Sequence, residues 1–182
     1  MRNYSALDKL KETTGYSYWL LPDEYAAQNL SSLINQMALR LSSPPFIPHI
    51  TLSSVPESAA YERLADILDS FSSRNRTLNV YTKDLICGDP PFQRFYISVN
   101  KPEELLEYSE SMDLLLGGKY GRKENFHASI YYGFNSCSKI KDQFSKLEMG
   151  IPEKLHIQSI ALAEINGLPD RWKIVHKKNL LS

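Results

Sequence analysis

Apolar positions along the chain follow two rhythms. Residues 16–21 (YSYWLL) are aromatic and aliphatic and stop at Pro22, which reads as a strand. Over 23–41 apolar side chains recur at Ala26, Leu30, Leu33, Ile34, Met37 and Leu41. Spacings of three and four put them on one helix face, with Asp23 placed to cap its start. Ser42, Ser43, Pro44 and Pro45 break that helix. Residues 48–54 (PHITLSS) alternate as a short strand. Ala60, Leu64, Ile67, Leu68 and Phe71 mark a second helix. Residues 77–86 alternate again and end at Gly88-Asp89-Pro90-Pro91, the boundary between two halves.

The order then recurs. Residues 95–99 read as a strand. Pro102 suits the first turn of a helix that buries Leu105, Tyr108, Met112 and Leu115 and ends at Gly117-Gly118. Residues 126–132 (FHASIYY) are a strand. Ile140, Phe144 and Leu147 form one face of a short helix capped by Ser138. Residues 155–165 are a strand, and after the turn at Asn166-Gly167 residues 172–177 close the chain as another. Shifting the second half back by the 78 residues that separate His127 from His49 overlays the elements almost without gaps. The pattern predicts an internal duplication of a strand–helix–strand–helix–strand unit, with repeats at about 16–88 and 94–178. Residue identity between the halves is low, so the prediction rests on element order.

The expected fold class is therefore α+β. Two pseudo-symmetric lobes, each an antiparallel sheet with outer helices, should enclose a cleft between the sheets. Residues 16–182 are expected as a single bilobal domain. Residues 1–15 are expected as a peripheral segment, with Leu7 and Leu10 either in a short amphipathic helix or in a frayed tail.

Composition narrows the function classes. Of 182 residues, 42% are hydrophobic and 23% charged, as in a soluble globular protein. Lys+Arg and Asp+Glu are both 21, so the formal net charge is zero. A neutral chain is poorly suited to gripping long nucleic acid through many phosphates, though a dedicated site can still hold one or two. No apolar run approaches the roughly 20 residues of a membrane-spanning helix. The first 15 residues do not read as a secretory signal. Cys87 and Cys137, without CxxC spacing, make no disulfide framework and read as packing residues. A reducing, cytoplasmic location is the default expectation, and a monomer the default state.

Two of the four histidines carry the candidate chemistry. Pro48-His49-Ile50-Thr51-Leu52 and Phe126-His127-Ala128-Ser129-Ile130 both read His-x-Thr/Ser within a strand. Side chains two apart share a strand face. Ile50 and Leu52 face one way, leaving His49 and Thr51 together on the other; His127 and Ser129 pair likewise. If the halves obey an approximate two-fold, the pairs face each other across a cleft. One histidine can then deprotonate water while the other protonates a departing oxygen, since a pKa near 6.5 suits both tasks. The hydroxyls can donate to phosphate oxygens, at about 1.5–3 kcal/mol each. No metal or other cofactor is required. Two half-buried structural histidines, or a metal pair lacking further ligands, are the competing readings.

At these residues the sequence resembles the 2H phosphoesterase superfamily. The runs Tyr18-Trp19-Leu20-Leu21-Pro22 and Phe46-Ile47-Pro48-His49-Ile50-Thr51 are similar to the plant and yeast cyclic phosphodiesterases. So are Phe126-His127-Ala128-Ser129-Ile130-Tyr131-Tyr132 and the late Trp172-Lys173-Ile174-Val175. The resemblance covers roughly 16–178. It implies ring opening of nucleoside 2′,3′-cyclic phosphates to 2′-phosphates, and of ADP-ribose 1″,2″-cyclic phosphate, a tRNA-splicing by-product, to ADP-ribose 1″-phosphate. It implies His127 as general base, His49 as general acid, and Thr51 and Ser129 as phosphate holders. The implied partner is thus a small cyclic nucleotide phosphate. The family's phosphate-side tyrosine falls at Tyr132, whereas strict alternation puts Tyr131 on the His127 face; a bulge reconciles them. Trp172 either stacks on the base or ribose or belongs to the core. Fungal relatives also raise a Golgi association, which nothing in the sequence encodes. The rivals are an RNA-end-processing enzyme of the superfamily (2′–5′ RNA ligase-like or a 3′-end phosphodiesterase) and a non-catalytic nucleotide- or RNA-end-binding module.

Other residues read as bland. His156 is solvent-facing or hydrogen-bonded, and His176 belongs to a solvated basic end. Arg122 and Lys123, just before the second motif, are placed to attract a substrate phosphate, but a solvated loop is the preferred reading. Arg171 has no supporting pattern.

Overall fold

The computed structural model describes residue 10, residues 12–56 and residues 58–182. Leu7 lies outside them, so the short N-terminal helix is not addressed; Leu10 is buried.

The chain runs β1 (Tyr16–Pro22), α1 (Glu24–Leu41), β2 (Ile50–Val55), α2 (Tyr61–Ser72) and β3 (Leu78–Ile86). It continues through β4 (Phe95–Val99), α3 (Glu103–Leu115), β5 (His127–Tyr131), α4 (Cys137–Ser145), β6 (Lys154–Glu164) and β7 (Lys173–Asn179). A 3-10 turn, Pro169–Arg171, precedes β7. The strands and helices expected from residue 16 onward form, within a few residues of their expected ends.

Local chemistry sets the ends. The Asp23 carboxylate accepts from the Ala26 amide at 2.9 Å, answering one of the unpaired amides that open α1. Ser42 takes a left-handed backbone at φ 52° and closes that helix onto the Ala38 carbonyl. α4 is capped by Ser136, whose hydroxyl accepts from the Lys139 amide, and not by the expected Ser138.

The fold is α+β, and the strands of the two halves interleave. The antiparallel sheet runs β1-β2-β5-β4-β3-β6-β7, and β6 also pairs with β1. Each half thus lends its last long strand to the other: β3 pairs with β4, and β6 with β1. The order is symmetric about the β2–β5 junction, where Ile50 pairs with Ala128. Six strands therefore close into a ring, joined again between β3 and β6. The cleft expected between two sheets becomes the inner face of one curved sheet.

Alternation sorts the side chains. Tyr18, Leu20, Ile50, Leu52, Ala128 and Ile130 turn to one face, into an apolar cluster shared with Leu30 of α1, Leu64 of α2, Leu105 of α3 and Ile140 of α4. Ser17, Trp19, Thr51 and His127 turn to the other. Burying one face of a sheet under helices is what stabilises it, at about 25 cal/mol per Å² of apolar area.

Cys87 and Cys137 are not the free packing residues expected from the sequence; they are bonded to each other across 50 residues. The bond ties the segment after β3 to the first turn of α4, which no local spacing announces.

Candidate active site

A cavity of about 260 Å³ opens on the inner face of the sheet. Its lining includes His49 and Thr51 from the first motif and His127 from the second. Register explains the meeting. Ile50 pairs with Ala128 antiparallel, so one step either way puts His49 opposite Ser129 and Thr51 opposite His127. Each imidazole is thereby set diagonally from its counterpart across the pseudo-two-fold.

His49 is 6% exposed and stands immediately before β2. Its Nδ1 lies 2.6 Å from the Ile47 carbonyl oxygen. A carbonyl only accepts, so Nδ1 carries the proton and Nε2 is left for the cavity. The Trp19 indole stacks on the ring, with centroids 3.9 Å apart and planes 11° apart. Burial drives the His49 pKa down to about 3; the Ile47 bond works against that, and Lys123 and His127 work with it. Burial also lowers His127, to about 4, with Lys123 adding to it and the Asn125 backbone opposing it. Both rings are therefore neutral near pH 7. The two-residue step from His49 back to Ile47 recurs from His127 back to Asn125.

The tyrosines are sorted by a bulge. Between Tyr96↔Ser129 and Phe95↔Tyr131, β5 advances two residues while β4 advances one. The extra residue, Ile130, reverses the alternation. Tyr132 consequently lines the cavity, stacked on Phe46 with centroids 3.9 Å apart. Tyr131, which strict alternation put beside His127, lies in the main core, its hydroxyl accepting from Asn135 Nδ2 at 2.6 Å. Burial pushes the Tyr132 phenol up to about 12, against the Ser129 hydroxyl beside it. Ser129 is buried behind the lining and reaches the site through Tyr132.

Trp172 lines the cavity edge. Its Nε1 donates to Thr13 Oγ1 at 3.0 Å and to the Gly167 carbonyl at 3.3 Å. Its ring leans on Trp19, Phe92 and Tyr132, each within about 6 Å. With them it forms an aromatic wall beside the histidines.

Several lining residues were missed from sequence. Thr13 falls in the segment expected as peripheral, yet bridges to Gly167 and bonds the Ile165 carbonyl. Phe92 and Gln93 sit in the linker expected merely to separate the halves. Lys123 is half-buried in the cavity, which overturns the solvated-loop reading preferred over phosphate attraction. The signal that existed was position: Lys123 stands four residues before His127. Elsewhere, His176 is not a solvated end, since its Nε2 meets Asp69 Oδ1 at 2.6 Å. His156 Nδ1 lies 3.0 Å from Asn79 Oδ1. Arg122 pairs loosely with Glu110 at 3.7 Å. Among the described residues no three His, Cys, Asp or Glu side chains gather as metal ligands would. No helix among them is long and apolar enough to cross a membrane.

No family model matches the sequence, and no curated protein matches it. Solved structures do. TT0787 of Thermus thermophilus superposes with a TM-score of 0.65 at 9% identity, over 91% of this chain and 97% of that one. E. coli LigT in apo form gives 0.59 at 9% identity, over 94% of this chain and 100% of LigT. The chain has the LigT fold. LigT in complex with 3′-AMP gives 0.58 at 9% identity, over 93% of this chain and 99% of LigT. Identity this low speaks for the architecture alone, so the site must be argued from its own geometry.

Proposed function

We propose that the chain is a 2H-type cyclic phosphodiesterase. It would open nucleoside 2′,3′-cyclic phosphates to 2′-phosphates and ADP-ribose 1″,2″-cyclic phosphate to ADP-ribose 1″-phosphate, without a metal. The observation that carries this is the meeting of His49, Thr51 and His127 around the β2–β5 junction, in one cavity.

The cyclic phosphate sits between the rings. His127 takes a proton from water as the water oxygen bonds to phosphorus. The phosphorus–oxygen bond to the leaving ribose oxygen breaks on the far side, and His49 Nε2 gives that oxygen a proton. Burial holds both rings neutral near pH 7, so His49 must gain a proton before it acts as the acid. An anion bound against His49 favours that ring's charged form, so His49 takes a proton from solvent on Nε2 while His127, turned to the attacking water, stays neutral. Substrate binding therefore brings in the proton that the leaving group takes. Thr51 donates to a non-bridging oxygen, and Ser129 acts with Tyr132 from behind. Phe92 and Trp172, the partly exposed members of the aromatic wall, offer flat faces to a base or ribose, with Trp19 and Tyr132 buried behind them. LigT has been solved with phosphate and with 3′-AMP, which fits a nucleotide-sized ligand for this fold.

Products from 2′,3′-cyclic AMP, from ADP-ribose 1″,2″-cyclic phosphate and from a short RNA with a cyclic end decide between the readings. Turnover of the mononucleotide to the 2′-phosphate is expected. Turnover of the RNA alone would shift the assignment to RNA-end processing, and binding without turnover to a recognition module.

A further inference from the structure

Lys123 is the charged lining residue that the two-histidine scheme leaves without a task. It stands in the loop before β5, in the lining that holds His49, Thr51 and His127. The loop is pinned there, since the Lys123 amide donates to Ser109 Oγ of α3 at 2.7 Å. Ser109 is 2% exposed, so its anchor is fixed by the core. Among the described residues no carboxylate lies within ion-pair distance of the Lys123 ammonium, although the protein pairs other lysines with Asp142, Glu164 and Asp69. Burial lowers its pKa to about 8, which leaves it mostly charged near neutral pH. A half-buried cation with no anion of its own, beside two imidazoles that it disfavours as cations, leaves a place for an external anion.

We infer that Lys123 is the phosphate-binding cation of this site, contacting the non-bridging oxygens that Thr51 and the two histidines leave free. This rests on the phosphodiesterase reading for its substrate, but not for its anion. A cation fixed at that spot draws a monoanionic phosphodiester in. It gains further as negative charge builds on those oxygens when water adds. The bound anion, lying between them, offsets the repulsion between Lys123 and a newly charged imidazole.

The test compares the parent with Lys123→Met, which keeps the length of the side chain, and Lys123→Arg, which keeps the charge. Inorganic phosphate is titrated by calorimetry, and kcat and KM are measured on 2′,3′-cyclic AMP. Loss of one charge-assisted contact predicts phosphate affinity weaker by roughly 10- to 100-fold in Lys123→Met, with kcat/KM down at least as far. Lys123→Arg should recover part of both. An unchanged thermal midpoint separates this from misfolding. Phosphate affinity and kcat/KM within about twofold of the parent would overturn the inference and leave the phosphodiesterase reading standing. A parent that binds phosphate through Lys123 but turns over no cyclic phosphate would do the reverse.

Discussion

Ile50 of β2 and Ala128 of β5 pair across the point where the two halves of the chain meet. Both side chains point into the core, and the residues on either side of them carry the chemistry. The pairing makes one junction do two tasks, closing the ring of strands and setting the distance between two histidines. A core pair therefore fixes the geometry of a polar site that it does not touch.

Acid should loosen this fold through its histidines. In the unfolded chain each ring protonates near pH 6.5. In the folded protein burial keeps His127 neutral down to about 4 and His49 down to about 3. Between those limits the unfolded state binds more protons, so the contribution is whole above pH 6.5 and lost as pH falls. Each ring adds a slope of up to about 1.4 kcal/mol per pH unit. Urea midpoints at about pH 7.5 and pH 5 should differ more in the parent than in a His49→Gln/His127→Gln variant. Equal differences in the two proteins would contradict the burial argument.

Gly133 holds a tight place. Its φ is 148°, and a Cβ there would overlap the Tyr131 hydroxyl. Gly133→Ala must strain the backbone or push Tyr131 off Asn135, and is expected to cost about 1–3 kcal/mol. Thermal unfolding reads this directly. Activity should also fall, because Tyr132 follows the same turn into the cavity. A midpoint unchanged by the alanine would show that the turn tolerates a side chain.

The bond between Cys87 and Cys137 closes a long loop around the second half. Breaking it with a Cys87→Ser/Cys137→Ser variant should cost about 2–4 kcal/mol, mainly by freeing the unfolded chain. Reductant should bring the parent's denaturant midpoint down to that variant's value and leave the variant's own unchanged. A parent indifferent to reductant would show that the bond adds nothing.

Local pattern carried much of this architecture. The spacing of Leu30, Leu33 and Met37 announced α1, and the aromatic run at Tyr16–Pro22 announced β1. Position arithmetic paired His49 with His127. What stayed hidden was non-local. The exchange of β3 and β6 between halves leaves no trace in either strand's own periodicity. The bulge at Ile130, which turns Tyr132 in and Tyr131 out, depends on register against β4. Lys123 looked like a surface charge because loop residues carry no period that reports burial; its place is set by Ser109, 14 residues earlier on another element. Thr13 was discounted for lying near the chain start, though Gly167 and Trp172 hold it.

Catalysis of this kind requires the two imidazoles to act together. The deciding measurement is hydrolysis of 2′,3′-cyclic AMP in excess EDTA by the parent, His49→Ala and His127→Ala. Turnover by the parent, unaffected by EDTA and lower by about 10²- to 10⁴-fold in each variant, is the predicted result. Parent turnover that EDTA abolishes, or that survives either substitution, would contradict it.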